Sequence, residues 1–124
     1  MNKILLIGAG QLGSRHLQGL AKIKIDANIF IVDPSSDSMN NAKIRLNEIS
    51  DRNTRNGYYF YPTITEVPKD IDLAIIATNS DVRKKVLVDL FKNKNVKSII
   101  LEKFLFQNEL DFFDIEKILI EKKN

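Results

Sequence analysis

Four short apolar runs, Ile4 to Ile7 (ILLI), Ile29 to Val32 (IFIV), Leu73 to Ala77 (LAIIA) and Ser98 to Leu101 (SIIL), are continuous rather than alternating. A strand with one wet face alternates polar and apolar residues, whereas a strand covered on both faces does not, so these runs predict strands of a parallel sheet. A weaker fifth run, Tyr58 to Tyr61 (YYFY), precedes Pro62.

Between the runs the apolar period becomes helical. Leu12, His16 and Leu20, with Leu17 and Ala21 beside them, form the stripe of a first helix. Met39, Ala42, Leu46 and Ile49 mark a second, with Ser35, Ser36 and Asp37 as capping candidates after Pro34. Val82, Val86, Leu90 and Phe91 mark a third, capped by Ser80 or Asp81, and Phe112, Ile115, Ile118 and Leu119 mark a fourth that runs to the end of the chain. The polar stretch Ser50 to Gly57 (SDRNTRNG) is the longest loop candidate, and Pro68 to Asp70 forms a shorter break.

This alternation is the rhythm of a doubly wound α/β sheet, because parallel neighbours need covered, right-handed crossovers. The expected strand order is 3-2-1-4-5, with helices on both faces. A chain of 124 residues accommodates one domain, taken here as 1–124. A full dinucleotide fold has a sixth strand, so the chain reads as the front portion of something longer.

Within this frame Lys3 to Gly13 reads KILLIGAGQLG. Gly8, Gly10 and Gly13 follow a predicted strand and open a predicted helix, the context that makes a G-x-G-x-x-G pattern informative. Gly8 permits the tight turn, Gly10 allows the backbone to approach a pyrophosphate, and Gly13 allows close packing of the helix. Gln11 and Leu12 lie between the last two glycines, where the N–H groups of the helix start face the phosphates. An acid is then required at the end of the second strand to hold the adenosine ribose, and Asp33 stands there directly after IFIV. Its carboxylate would repel a 2′-phosphate, which favours NAD over NADP. The alternative is a glycine turn that only packs a helix, with Asp33 as a loop acid.

Ligands of open α/β sheets lie beyond the strand C-termini. Thr78 and Asn79, which follow LAIIA, are therefore placed to meet the cofactor, while Ser80 also suits a helix cap. Glu102 and Lys103 follow SIIL, where a lysine could contact the nicotinamide ribose or a substrate hydroxyl and help move a proton; the other reading is two solvated charges. His16 reads as a packed helix histidine, Arg15 as solvent-facing, and Tyr58, Tyr59 and Tyr61 as strand and edge packing.

Other classes are disfavoured. Cysteine is absent and histidine occurs once, which leaves no thiolate chemistry and makes a structural zinc site implausible. The net charge is +3, but the lysines are scattered among acids and no basic stripe with aromatics appears, so no nucleic-acid partner is expected. No apolar run approaches the ~20 residues of a membrane span, and the expectation is a cytoplasmic protein without membrane contact.

The residues resemble the Gfo/Idh/MocA family, that of glucose-fructose oxidoreductase and inositol 2-dehydrogenase. The resemblance rests on GAGQLGSRH (Gly8 to His16), IVDPS with Asp33, DLAIIATNSDVRKKV, similar to a strand ending in Ala-Thr-Pro-Asn, and ILEKF, similar to a Glu-Lys-Pro motif. It implies an N-terminal NAD(P)-binding Rossmann domain of an oxidoreductase that transfers hydride to or from a sugar, cyclitol or nucleotide-sugar. It implies a substrate surface in a C-terminal domain beyond this chain, Lys103 as the motif lysine near nicotinamide and substrate, and a possible homo-oligomer. Asn79 and Phe104 stand where the family has prolines, and Arg83 where many members have a histidine. The competing readings are a non-catalytic NAD(H)-sensing Rossmann module, like those attached to potassium channels, and a Rossmann domain for another adenosine ligand such as S-adenosylmethionine.

Overall fold

The computed structural model describes residues 2–22, 26–78 and 80–101, with only the backbone described at Gln11, Leu12 and Ser80. In chain order the elements are β1 (Asn2–Ile7), α1 (Gln11–Ala21), β2 (Ala27–Val32), α2 (Ser36–Asn47), β3 (Gly57–Tyr61), a 3-10 turn (Ile64–Glu66), β4 (Asp70–Ile76), α3 (Ser80–Asn93) and β5 (Asn95–Leu101). The strands form one sheet in the order β3-β2-β1-β4-β5, and every pairing is parallel. The expected class and strand order are both observed.

Alternate residues of the central strands supply two cores. Ile4 and Leu6 of β1, with Ile29 and Ile31 of β2, pack against Leu17 and Ala21 of α1 and Met39, Ala42 and Leu46 of α2. On the opposite face Leu5, Ile7, Phe30 and Val32 pack against Leu87, Leu90 and Phe91 of α3. A continuous apolar strand thus serves two helical layers at once, and each buried Leu or Ile contributes about 1.5–3 kcal/mol. The register fixes the crevice: Ile7 pairs with Val32 on one side and Ile76 on the other, so three strands end level at the same crest.

Two boundaries differ from the pattern. Asp70, expected within a break, is the first residue of β4, and β5 begins at Asn95 rather than Ser98. β5 is an edge strand with Asn95, Lys97 and Ser98 exposed, so its polar half carries no hydrophobic signal. The second helix starts as expected, with the Ser35 hydroxyl accepting from the amide of Ser38 at 3.2 Å. The expected fourth helix lies outside the described residues.

Candidate functional site

The turn after β1 is built around its glycines. Gly8 has φ +101°, a left-handed conformation costly for any residue with a Cβ, and such a Cβ would sit 2.7 Å from the Ala77 carbonyl oxygen. A Cβ on Gly13 would overlap the carbonyl oxygen of Gly8, so the close approach at Gly13 is to the turn itself, with the Ala77 side chain next. At Gly10 a Cβ would meet nothing within 4 Å. The first two glycines to be explained are fixed by the fold, whereas Gly10 borders open space.

That space lies at the start of α1. Gly10 is the N-cap, it supplies no side-chain cap, and the first turn contains no acid. The ladder begins with the Ser14 amide donating to the Gly10 carbonyl at 2.8 Å, which leaves the N–H groups of Gln11, Leu12 and Gly13 ahead of it. The buried Ser14 hydroxyl donates to the Ala9 carbonyl at 3.0 Å and fixes the turn from beneath.

Asp33 stands across the crest. Its Oδ2 accepts the Ala9 amide at 2.7 Å and its Oδ1 accepts the Ser35 amide at 2.8 Å. Each carboxylate oxygen keeps a further lone pair for an incoming hydroxyl. Between this carboxylate and α3 opens a cleft of about 460 Å³, largely apolar, whose lining includes Gly8, Asp33, Pro34, Pro62, Thr78 and Val82. The Thr78 hydroxyl is buried without a hydrogen-bond partner.

The structure therefore brings Gly8, Asp33 and Thr78 to the lining of one cleft, while Gly10, Gly13 and the backbone of Gln11 and Leu12 continue from Gly8 into the start of α1. Asn79, Glu102 and Lys103 lie outside the described residues. His16 is half-buried on α1 and Arg15 is exposed, as expected. Tyr59 stacks on Phe30 with ring centroids 5.2 Å apart, and Tyr58 and Tyr61 pack against the two cores. The sequence did not single out Ser14, or the cleft walls Pro62, Ile64 and Lys85. Val82, one of the residues that mark the apolar stripe of the third helix, is 49% exposed and lines the cleft.

An uncapped helix start, open space beside Gly10 and a carboxylate at the cleft wall fit the diphosphate and ribose of a dinucleotide. Among the described residues there is no group of three or more His, Cys, Asp or Glu able to hold a metal, and no helix long and apolar enough to cross a membrane.

Fold and crevice together define a Rossmann-type α/β domain. Residues 2–124 match the model of an oxidoreductase family with an NAD-binding Rossmann fold, and the chain belongs to that family, Gfo/Idh/MocA. The match is to the nucleotide-binding Rossmann fold of this oxidoreductase family, which binds NAD or NADP. No curated protein matches the sequence. An NAD-binding protein from Listeria innocua is 17% identical, with a TM-score of 0.73 over 99% of this chain and 33% of its own. A variant 3-ketoreductase from Actinomadura kijaniata, in complex with TDP-benzene and NADP, is 12% identical, with a TM-score of 0.69 over 98% of this chain and 34% of its own. A myo-inositol dehydrogenase from Corynebacterium glutamicum is 16% identical, with a TM-score of 0.66 over 98% of this chain and 34% of its own. At these identities the likeness is one of fold, and the chain spans about a third of the length of each structure.

Proposed function

We propose that the crevice holds the adenosine diphosphate half of NAD, and that this chain is the nucleotide-binding domain of a longer oxidoreductase. The observation that carries the reading is the Asp33 carboxylate, bonded to the Ala9 amide of the glycine turn and sharing a cleft with Gly8 and Thr78, beside a Gly10 at which a Cβ would meet nothing within 4 Å. The N–H groups at Gln11, Leu12 and Gly13 would bind the diphosphate, the Asp33 oxygens would accept the adenosine ribose hydroxyls, and Thr78 would donate or accept at the opposite wall. The apolar cleft would take the adenine and exclude water from it.

NAD is preferred over NADP because a 2′-phosphate would stand against the Asp33 carboxylate. When bound, the nicotinamide supplies hydride transfer. Asn79, Glu102 and Lys103, which follow the fourth and fifth strands in sequence, would meet its far end, and the resemblance makes Lys103 the motif lysine near nicotinamide and substrate, able to hold or move a proton on a substrate hydroxyl. A sugar, cyclitol or nucleotide-sugar substrate is supported by the family and by the myo-inositol dehydrogenase and TDP-ligand neighbours, and it would meet a C-terminal domain that this chain does not include.

Calorimetric titration with NADH and NADPH, repeated on Asp33→Ala, tests the reading. We expect weak NADH binding, weaker NADPH binding and a loss of about tenfold in NADH affinity in the variant, the effect of roughly one lost hydrogen bond to a charged group. Equal NADH affinity with and without the carboxylate would remove Asp33 from the ribose site.

A further inference from the structure

Arg83 is a charged residue that the fold buries to 4% exposure on α3. Such burial is costly unless the guanidinium is hydrogen-bonded. Its Nη2 donates to the carbonyl oxygen of Thr78 at 2.7 Å. That contact is made at the cleft wall, because Thr78 lines the cleft with Gly8 and Asp33, and the Thr78 hydroxyl beside it is buried without a partner. The same backbone abuts the glycine turn: a Cβ on Gly8 would stand 2.7 Å from the Ala77 oxygen and 3.1 Å from the Thr78 amide nitrogen. Arg83 therefore grips, from inside the protein, the peptide that forms one wall of the crevice.

We propose that Arg83 is a positioning residue that holds Thr78 against the glycine turn and so fixes the cleft wall that Thr78 would present to the nucleotide. A planar, always-charged fork suits this role, because it fixes a carbonyl in direction as well as distance. Arg83 itself does not line the cleft; its influence on a ligand passes through the Thr78 peptide. The proposal rests on the dinucleotide reading for its ligand and on the ligand-free geometry for its mechanism, and the two parts are tested apart.

The first measurement is amide hydrogen exchange of the ligand-free chain. Ala77, whose amide donates to the Ile7 carbonyl at 2.8 Å, and Thr78 should exchange about tenfold faster in Arg83→Met, with the interior of β1 unchanged. Arg83→Lys, which keeps the charge and a donor, should restore part of the protection and serves also if the Met variant fails to fold. Unchanged exchange at both amides overturns the proposal. The second measurement is NADH affinity in a double-mutant cycle. Thr78→Ala and Arg83→Met should each weaken binding about tenfold and the pair together no more than about tenfold, since both act at one contact. Additive losses of about a hundredfold overturn the link through Thr78. Failure of the unaltered chain to bind NADH overturns the dinucleotide reading and the ligand part of this inference, while the exchange result stands on its own.

Discussion

The amide of Ala9 donates to the carboxylate of Asp33 at 2.7 Å, across 24 residues of chain. The second carboxylate oxygen takes the Ser35 amide at 2.8 Å. One side chain thus ties the turn after β1 to the turn after β2. An acid that ligand recognition would require is also part of the scaffold that shapes the glycine turn.

Asp33→Ala should therefore destabilise the ligand-free chain by about 1–3 kcal/mol, because the part-buried Ala9 amide and the exposed Ser35 amide both lose a charged acceptor. Asp33→Asn keeps one acceptor oxygen and should fall between. Urea unfolding without cofactor is the measurement. A neutral Ala variant would mean that water replaces the carboxylate at both amides.

The glycines should separate into two kinds. Gly13→Ala places a methyl group onto the Gly8 carbonyl and should unfold or markedly destabilise the chain. Gly10→Ala meets no atom within 4 Å and has an ordinary φ of −67°, so its cost to folding should stay near 1 kcal/mol, that of a poorer N-cap. Its cost to NADH binding should be at least tenfold, because the methyl group would occupy the space offered to the diphosphate. Thermal unfolding beside calorimetry reads both. Unimpaired NADH binding by a folded Gly10→Ala would place the diphosphate elsewhere.

Asp72 lies at the opposite rim of the sheet, where it accepts the Lys3 amide at 2.8 Å and pairs with Lys97 at 3.2 Å. The Lys3 amide first, and then Lys97, hold its carboxyl below the ordinary value of 3.8. A carboxyl with a depressed folded-state pKa stabilises the fold fully above its unfolded value and loses that contribution as pH falls through the folded one. The stability gap between the unaltered chain and Asp72→Asn should therefore be constant at neutral pH and close below about pH 3.8. Urea midpoints measured from pH 7 to pH 2.5 check this. A gap that widens on acidification would reverse the sign of the linkage.

Strand order and the glycine turn were legible because burial on both faces leaves continuous apolar runs and a turn at positive φ leaves glycine. The same logic reached only the second half of β5, whose exposed Asn95 and Lys97 precede the apolar run. It failed for Val82, since a helical stripe records apolar character and not whether the neighbour is core or cleft. Arg83 was legible only as a departure from a family pattern. Its bond to Thr78 depends on how α3 meets the end of β4, which no periodicity encodes.

The polar stretch SDRNTRNG gives the clearest case of structure hidden behind loop composition. Asn56 within it is 8% exposed, and its Oδ1 accepts the amide of Ala27 at 3.0 Å at the start of β2. Three residues earlier, the Asn53 amide donates to the Ala21 carbonyl at 2.7 Å, at the last residue of α1. The segment therefore clamps the end of α1 and the start of β2, and an orphaned Ala27 amide would be the result of losing the Asn56 oxygen. Asn56→Ala should cost about 1–3 kcal/mol, as a buried donor left unsatisfied does. Arg55→Ala, which removes an exposed pair with Asp26 at 3.2 Å, should cost under about 1 kcal/mol. Urea denaturation of the two variants side by side makes the comparison, and an equal effect at both positions would show that the stretch is held by charge at its surface instead of by the buried amide.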